Sequence, residues 1–236
     1  MLKGKILPVS EFSAADISVM YALMAEFYDD TDEQVFLRDF RDKDYCLALY
    51  HDTDGLVGFT TQKVMSLDVD GRIVHGIFSG DTIIHKSHWG DMELFKVWAR
   101  FWFDYAQRYD EFYWFLICKG YKTYRILPLF WTEFYPARGK ETPDNMQRII
   151  DAYAEKMYPN EYDKTDGVIK YDHVKDKLKA GVADVGEHEM KNKDIAFFCE
   201  KNPSHVCGND LACIAKIDKS ALKKRAVELL FNEREM

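Results

Sequence analysis

Residues 72–84 read RIVHGIFSGDTII, residues 85–90 read HKSHWG and residues 91–108 read DMELFKVWARFWFDYAQR. The first stretch is rich in β-branched and aromatic residues, so it predicts a strand. Gly76 and the pair Ser79-Gly80 interrupt it, and a glycine inside a strand marks a bulge or a close backbone approach. The second stretch is a short polar loop. In the third, Leu94, Trp98, Phe101, Trp102 and Tyr105 share one helical face, with Phe95 and Val97 widening it. Asp91 and Glu93 fall in its first turn, where the helix dipole favours acids.

Working outward from this strand, loop and helix, the pairs Asp54-Gly55 and Asp70-Gly71 are hairpin turn signals. They join strands predicted over Tyr45–Tyr50, Leu56–Leu67 and Arg72–Ile84 into an antiparallel meander. Upstream, Lys3–Val9 reads as a short strand. Ser13 with Asp16 caps an amphipathic helix through Ile17, Met20, Met24 and Phe27, and Asp32–Phe40 reads as a second helix. Downstream, the apolar run Tyr113–Cys118 predicts a buried strand. Tyr121–Trp131 predicts a helix ended or kinked by Pro128. Helices are expected over Pro143–Met157 and Asp194–Glu200, and short strands over Gly167–Tyr171 and Leu211–Ile217. Ser220 is expected to cap a last helix, Ala221–Phe231.

The chain of 236 residues is 47% hydrophobic and 31% charged, which excludes a disordered chain. No apolar run reaches the roughly 18–20 residues of a membrane span, and no signal peptide is read at the N-terminus. Five cysteines without a CxxC pair fit reduced thiols and a cytoplasmic location. The net charge of −8 argues against a nucleic-acid partner, since phosphate contacts need a basic face. Of 35 aromatic residues, 17 lie between Phe95 and Tyr135, which implies either a rigid core or a wide apolar groove for a greasy ligand. Aromatics left exposed would make a homodimer face. The alternating Lys and Asp residues from Tyr171 to Lys179 read as a solvated face.

The order strand, two helices, meander, loop, helix, strand, helix resembles the GNAT-type N-acyltransferase fold over about residues 1–135. IVHGIFSGDTIIH and the loop after it carry the resemblance most strongly. It is similar, more distantly, to long-chain N-acyl amino acid synthases and acyl-homoserine lactone synthases. The resemblance implies an α+β fold: a GNAT-like mixed, mostly antiparallel sheet flanked by helices. Residues 1–136 would be the acyltransferase core, 137–205 a mostly helical insertion, and 206–236 a returning strand and a C-terminal helix. It also implies transfer of an acyl group from a thioester, acyl-CoA or acyl carrier protein phosphopantetheine, to a small-molecule amine. The alternative is a non-catalytic domain of this fold that binds an acyl ligand, a lipid or a protein partner.

In that family the loop reads Gln/Arg-x-x-Gly-x-Gly/Ala and holds a pyrophosphate on backbone N–H groups. Here Gly90 matches, His88 stands where the first glycine would be, and His85 stands in place of Gln or Arg. The resemblance therefore sets Phe78, Ser79 and Ile83 of the strand, and His85, Lys86, His88, Trp89 and Gly90 of the loop, against the thioester carrier. Asp81 and His75 are the base candidates, a backbone N–H near Phe78–Asp81 would hold the oxyanion, and Tyr121 or Tyr124 would protonate the leaving sulfur. His75, His85 and His88 have no acidic or Cys partner at a ligand spacing, so no metal centre is expected.

Overall fold

The capping box at Ser13 forms as its spacing requires. The Ser13 hydroxyl accepts from the Asp16 N–H at 3.1 Å, and the Asp16 carboxylate accepts from the Ser13 N–H at 3.2 Å. The computed structural model describes residues 1–173 and 175–232. In chain order its first half contains β1 (Leu2–Pro8), α1 (Ala14–Phe27), β2 (Tyr28–Asp29), α2 (Glu33–Arg41), β3 (Tyr45–His51), β4 (Gly55–Val69), β5 (Arg72–Ile84), α3 (Glu93–Tyr105) and β6 (Phe112–Cys118). There follow α4 (Tyr121–Tyr124), α5 (Ile126–Phe130), β7 (Phe134–Tyr135), α6 (Asp144–Met157), β8 (Tyr162–Asp163), β9 (Val168–Ile169), β10 (Lys177–Leu178), α7 (Glu187–Met190), α8 (Lys193–Lys201), β11 (Asp210–Lys216) and α9 (Lys224–Phe231).

Among the described residues one nine-stranded sheet runs β1-β3-β4-β5-β6-β11-β9-β8, with β7 also on β11, and β10 pairs separately with β2. Only β5 and β6 are parallel, because α3 is the crossover between them. The fold class is α+β, a mixed and mostly antiparallel sheet flanked by helices. On one face α3, α5 and α9 bury Trp98, Trp102, Leu127 and Leu230 against Ile77, Trp114 and Leu116. On the other face α1 and α2 cover one half of the sheet through Met20, Phe36 and Phe59. The second half of that face is covered by α6, through Ile149, Ile150 and Tyr153 against Phe78 and Phe115. The α1–α2 pair and α6 leave a seam between them.

Three local expectations change. Residues 137–205 are helical only at their ends, in α6, α7 and α8; between them the chain makes loops and adds β8 and β9 to the large sheet. Ser220 does not cap the last helix. Asp218 takes its N–H at 2.7 Å and forms a short turn, Leu222 bridges to Trp131, and α9 starts at Lys224. The helix expected over Tyr121–Trp131 is split into α4 and α5, and Pro128 sits in the first turn of α5, where a missing N–H leaves no intrahelical bond unmade.

Gly76 is fixed by close approach. A Cβ there would lie 2.4 Å from the Tyr113 carbonyl and 2.6 Å from Phe115 Cε2. The carbonyl belongs to the paired strand and cannot move aside. Gly76→Ala is expected to destabilise by about 2–3 kcal/mol, read as a lower urea midpoint at unchanged slope.

Candidate functional site

Parallel pairing of β5 with β6 runs from His75↔Phe112 to Ser79↔Leu116 and stops. On the other edge of β5, Gln62↔Ser79 is followed by Thr60↔Thr82, so Gly80 and Asp81 together face the single residue Thr61. This is a β-bulge at the point where β5 and β6 part. A Cβ at its first position, Gly80, would lie 2.6 Å from Thr61 Oγ1 and 3.0 Å from Lys43 Cε, so a larger residue there would displace both side chains. Lys43 is buried beneath the bulge, its ammonium on the Asp39 carboxylate at 2.7 Å and donating to the Asp39 carbonyl at 3.0 Å.

Cavities open on both sides of the bulge. Ser79, Gly80 and Thr82 line a small apolar cavity of about 40 Å³ walled by Trp98 of α3, Trp114 of β6 and Phe130 of α5. Ser79 is held there by the Trp114 indole, which donates to its hydroxyl at 2.8 Å. Asp81 faces the seam on the other side, a polar cleft of about 510 Å³ shared with Asp39, Tyr158, Tyr171, Lys175 and Asp176. A third groove, between the end of β5 and α4, is lined by Tyr28, Thr82, Trp89, Lys119 and Lys122.

Burial, with the nearby charges of Asp39 and Asp176, pushes the Asp81 carboxyl up to about 6, against the pull of Lys43 and Lys175. Burial, then the charges of Asp81, Asp176 and Asp210, hold the Tyr28 hydroxyl protonated well above its usual range. Behind the cleft Lys119 lies 3.3 Å from Asp210 and 3.6 Å from Asp176 and donates to the Gly208 carbonyl at 2.8 Å. The Tyr171 hydroxyl donates to the same Asp210 at 3.0 Å. Lys175 and Asp176 thus turn inward, contrary to the solvated face expected of residues 171–179.

The structure brings only some of the expected residues to the parting of the strands. Asp81, Ser79 and Ile83 line its cavities. Phe78 is buried in the core between β5 and α6. His75 stands at the opposite end of β5, bonded to Ser66 Oγ at 2.9 Å and stacked on Tyr109 at 4.4 Å. Tyr124 is wholly buried and its hydroxyl donates to the Pro136 carbonyl at 3.0 Å. Tyr121 is buried too, and neither tyrosine lines the three cavities, although Thr123 between them lines two. Sequence reading missed Tyr28, Lys119, Tyr171, Asp176 and Asp210. The buried acid of Asp210, next to an apolar strand, is the one signal that could have found them.

The loop is not an open anion cradle. The Asp91 carboxylate accepts from the Glu93 N–H at 2.7 Å at the start of α3, and Glu93 accepts from the Gly4 N–H at 3.3 Å. Gly90 has a φ of +94° with open space around it. His85 bonds Ser87 at 2.7 Å, Lys86 is exposed, and His88 faces Asp54 at 3.5 Å. The Trp89 indole donates to the Ile84 carbonyl at 2.8 Å, while its ring packs on Phe27 and under the Lys122 ammonium, 3.9 Å away. These residues do not fit a pyrophosphate, since carboxylates already occupy the helix start. Among the described residues no helix is long and apolar enough to cross a membrane.

No family model matches the sequence, and no curated protein matches it. Solved structures do. The chain is similar to a conserved protein of Enterococcus faecalis described as a probable N-acyltransferase, at 14% identity and a TM-score of 0.41, over 53% of this chain and 31% of that one. A GNAT family N-acetyltransferase of Escherichia coli in complex with CoA matches at 13% identity and 0.38, over 53% of this chain and 68% of that one. An acyl-CoA N-acyltransferase of Pseudomonas aeruginosa matches at 12% and 0.41, over 55% and 88%. The chain spans under a third of the Enterococcus protein. Two of these three proteins are described as N-acyltransferases and one as an N-acetyltransferase.

Proposed function

We propose that this protein transfers an acyl group from a thioester to an amine, with Asp81 as the general base. The observation that carries this reading is the bulge at Gly80–Asp81, where an apolar cavity and an acidic cleft meet at one point of one strand. The apolar end of an acyl group suits the first, and an amine arriving as its ammonium suits the second. Above pH 6 Asp81 is ionised and takes the proton from the amine, whose nitrogen then attacks the thioester carbonyl carbon. A backbone N–H of the bulge donates to the oxyanion, the nitrogen of the tetrahedral intermediate gives its second proton to water, the C–S bond breaks, and the thiolate takes a proton. Tyr28 replaces Tyr121 and Tyr124 as the donor to sulfur, since it lines the groove beside Thr82 and stays protonated.

Asp91 supports a carrier bound through its acyl end more than through its phosphates. CoA alone is therefore expected to leave the melting temperature unchanged at concentrations where palmitoyl-CoA raises it by several degrees. Equal shifts with both would overturn that part. The assay for the reaction offers acetyl-CoA, palmitoyl-CoA and acylated acyl carrier protein with a panel of amines, and measures free thiol. Amine-dependent thiol release from any of them is the expected result.

A second reading is a non-catalytic binder of an acyl or lipid ligand. Commitment of the Tyr124 hydroxyl to Pro136 favours it, because the acid expected from the sequence is not at the cleft. Ligand-induced stabilisation without thiol release from any donor would establish this reading and remove the first.

A further inference from the structure

We propose that His51, Asp54 and His88 bind one divalent transition-metal ion of the zinc class. The three come from two chain segments. His51 ends β3, Asp54 lies in the tight turn before β4, and His88 belongs to the loop before α3. The His51 Nδ1 lies 3.0 Å from Asp54 Oδ2, and the His88 Nε2 lies 3.5 Å from the same oxygen. All three donor atoms fall within 4.8 Å of one another. Zinc bonds of about 2.0–2.1 Å in a tetrahedron set donor atoms roughly 3.3–3.4 Å apart, and the two distances from Asp54 Oδ2 to the imidazole nitrogens bracket that spacing.

The surroundings aim the donors at a common point. Thr53 Oγ1 donates to Asp54 Oδ1 at 2.6 Å and also bonds His51 Nδ1 at 3.1 Å, a bond that an ion would displace; Asp54 Oδ2 is the oxygen turned to both imidazoles. The His88 Nε2 is buried and forms no hydrogen bond; Asp54 is its long-range partner only. A buried imidazole nitrogen without a bond has lost its water for nothing unless a ligand completes it. The two imidazole rings lie 4.9 Å apart, a close approach that a shared cation would justify.

Neighbouring groups do not fill the fourth corner. The His85 Nδ1 is taken by Ser87, and its Nε2 faces Glu26 at 3.6 Å. The remaining position is left to water or to an incoming ligand. Two imidazoles and one carboxylate favour zinc, cobalt, nickel or copper over calcium and magnesium, which prefer oxygen. Asp54 was invisible as a partner in the sequence because the antiparallel pairing of β4 with β5, not spacing, carries the turn to the loop. The proposal is independent of the acyl-transfer reading, and its test reads metal binding alone.

The test is isothermal titration of the chelator-stripped full chain with Zn²⁺, followed by melting with and without the ion. Binding of one ion per chain with a Kd of about 10 µM or tighter is expected. His88→Ala and His51→Ala should each weaken it at least ~10-fold. His188→Ala, an exposed histidine elsewhere, should leave it unchanged. Hundredfold excess of Zn²⁺ over Kd should raise the melting temperature by roughly 5 °C or more, and Ca²⁺ or Mg²⁺ should not compete. Asp54→Asn, which keeps the shape of the turn, gives a third readout if a histidine variant folds poorly. Absence of zinc binding by the unaltered chain, or binding that survives both histidine substitutions and Asp54→Asn, overturns the proposal.

Discussion

Replacing Asp81 with asparagine is expected to make the protein more stable and far less active at pH 7.5. The carboxyl is held near 6 in the fold, against 3.8 for a free aspartate. Between those values the folded chain keeps a proton that the unfolded chain has lost, so stability falls as pH rises through this window. Above pH 6 the fold carries the whole penalty of an ionised Asp81, on the order of 2–3 kcal/mol. Asparagine has the same shape and no charge, so it removes that penalty. The urea midpoint should rise at pH 7.5 and be nearly unchanged at pH 4. If Asp81 is the base, turnover should drop by about 10²–10⁴. The unaltered protein should show a limb in kcat/KM that rises with pH and is centred near 6, and the variant should lack it. A variant that keeps full turnover would remove Asp81 from the chemistry. Equal stability of the two proteins at pH 7.5 would show that the carboxyl is not strained.

Lys119→Met is expected to cause the largest loss of stability of any single change outside the apolar core. Its ammonium stands between the buried Asp210 and the half-buried Asp176, and also holds the Gly208 carbonyl. Methionine keeps the volume of the stem but takes the ammonium from the buried Asp210 and leaves Asp176 with Lys175 alone. Truncating one partner of a buried pair in this way costs about 3–5 kcal/mol. Adding Asp210→Asn to Lys119→Met should recover part of the loss, because the uncompensated charge is then gone. Asp210 already sits above the ordinary carboxylate range through burial, with Lys119 as the chief opposing influence. Denaturant unfolding of the two single variants and the double variant gives the coupling directly. If the double variant is no more stable than Lys119→Met, the two groups do not interact. Hydrogen exchange should also show residues 175–178 opening first in Lys119→Met, since Lys119 and Tyr171 anchor that segment.

Much of this architecture is legible in residues 72–108. Ser79-Gly80 announced the break in β5, and the break is the bulge that parts β5 from β6. Ser13 and Asp16 announced α1, and the two Asp-Gly turns announced the meander. What local pattern does not give is which members of a strand reach a cavity. His75 and Asp81 read alike as polar residues on one strand, yet six residues of strand hold them roughly 20 Å apart. Tyr124 reads as an amphipathic tyrosine, but Phe134 and Phe198 enclose it and its hydroxyl donates to the Pro136 carbonyl. The Lys and Asp residues of 171–179 read as surface because their partners, Lys119 and Asp210, lie far away in the chain. Crowding of aromatics between Phe95 and Tyr135 served the first of its expected purposes, a rigid core. Most of these rings fill the core, while Phe95, Trp98, Trp114, Phe130 and Trp131 wall the apolar cavity. Among the described large apolar residues Trp89 is the one exposed aromatic, so a dimer face of aromatics is not formed on one chain alone.

That placement of Trp89 gives the protein an optical probe at the mouth of its own cleft. The other four tryptophans are at most 7% exposed, whereas Trp89 is 47% exposed. Its emission is therefore the red-most in the spectrum, and its ring lies beneath a lysine ammonium whose position would shift with any anionic or apolar guest entering the groove. Subtracting the spectrum of Trp89→Phe from that of the unaltered chain isolates this one indole, so arrival of a ligand can be followed in real time without any label.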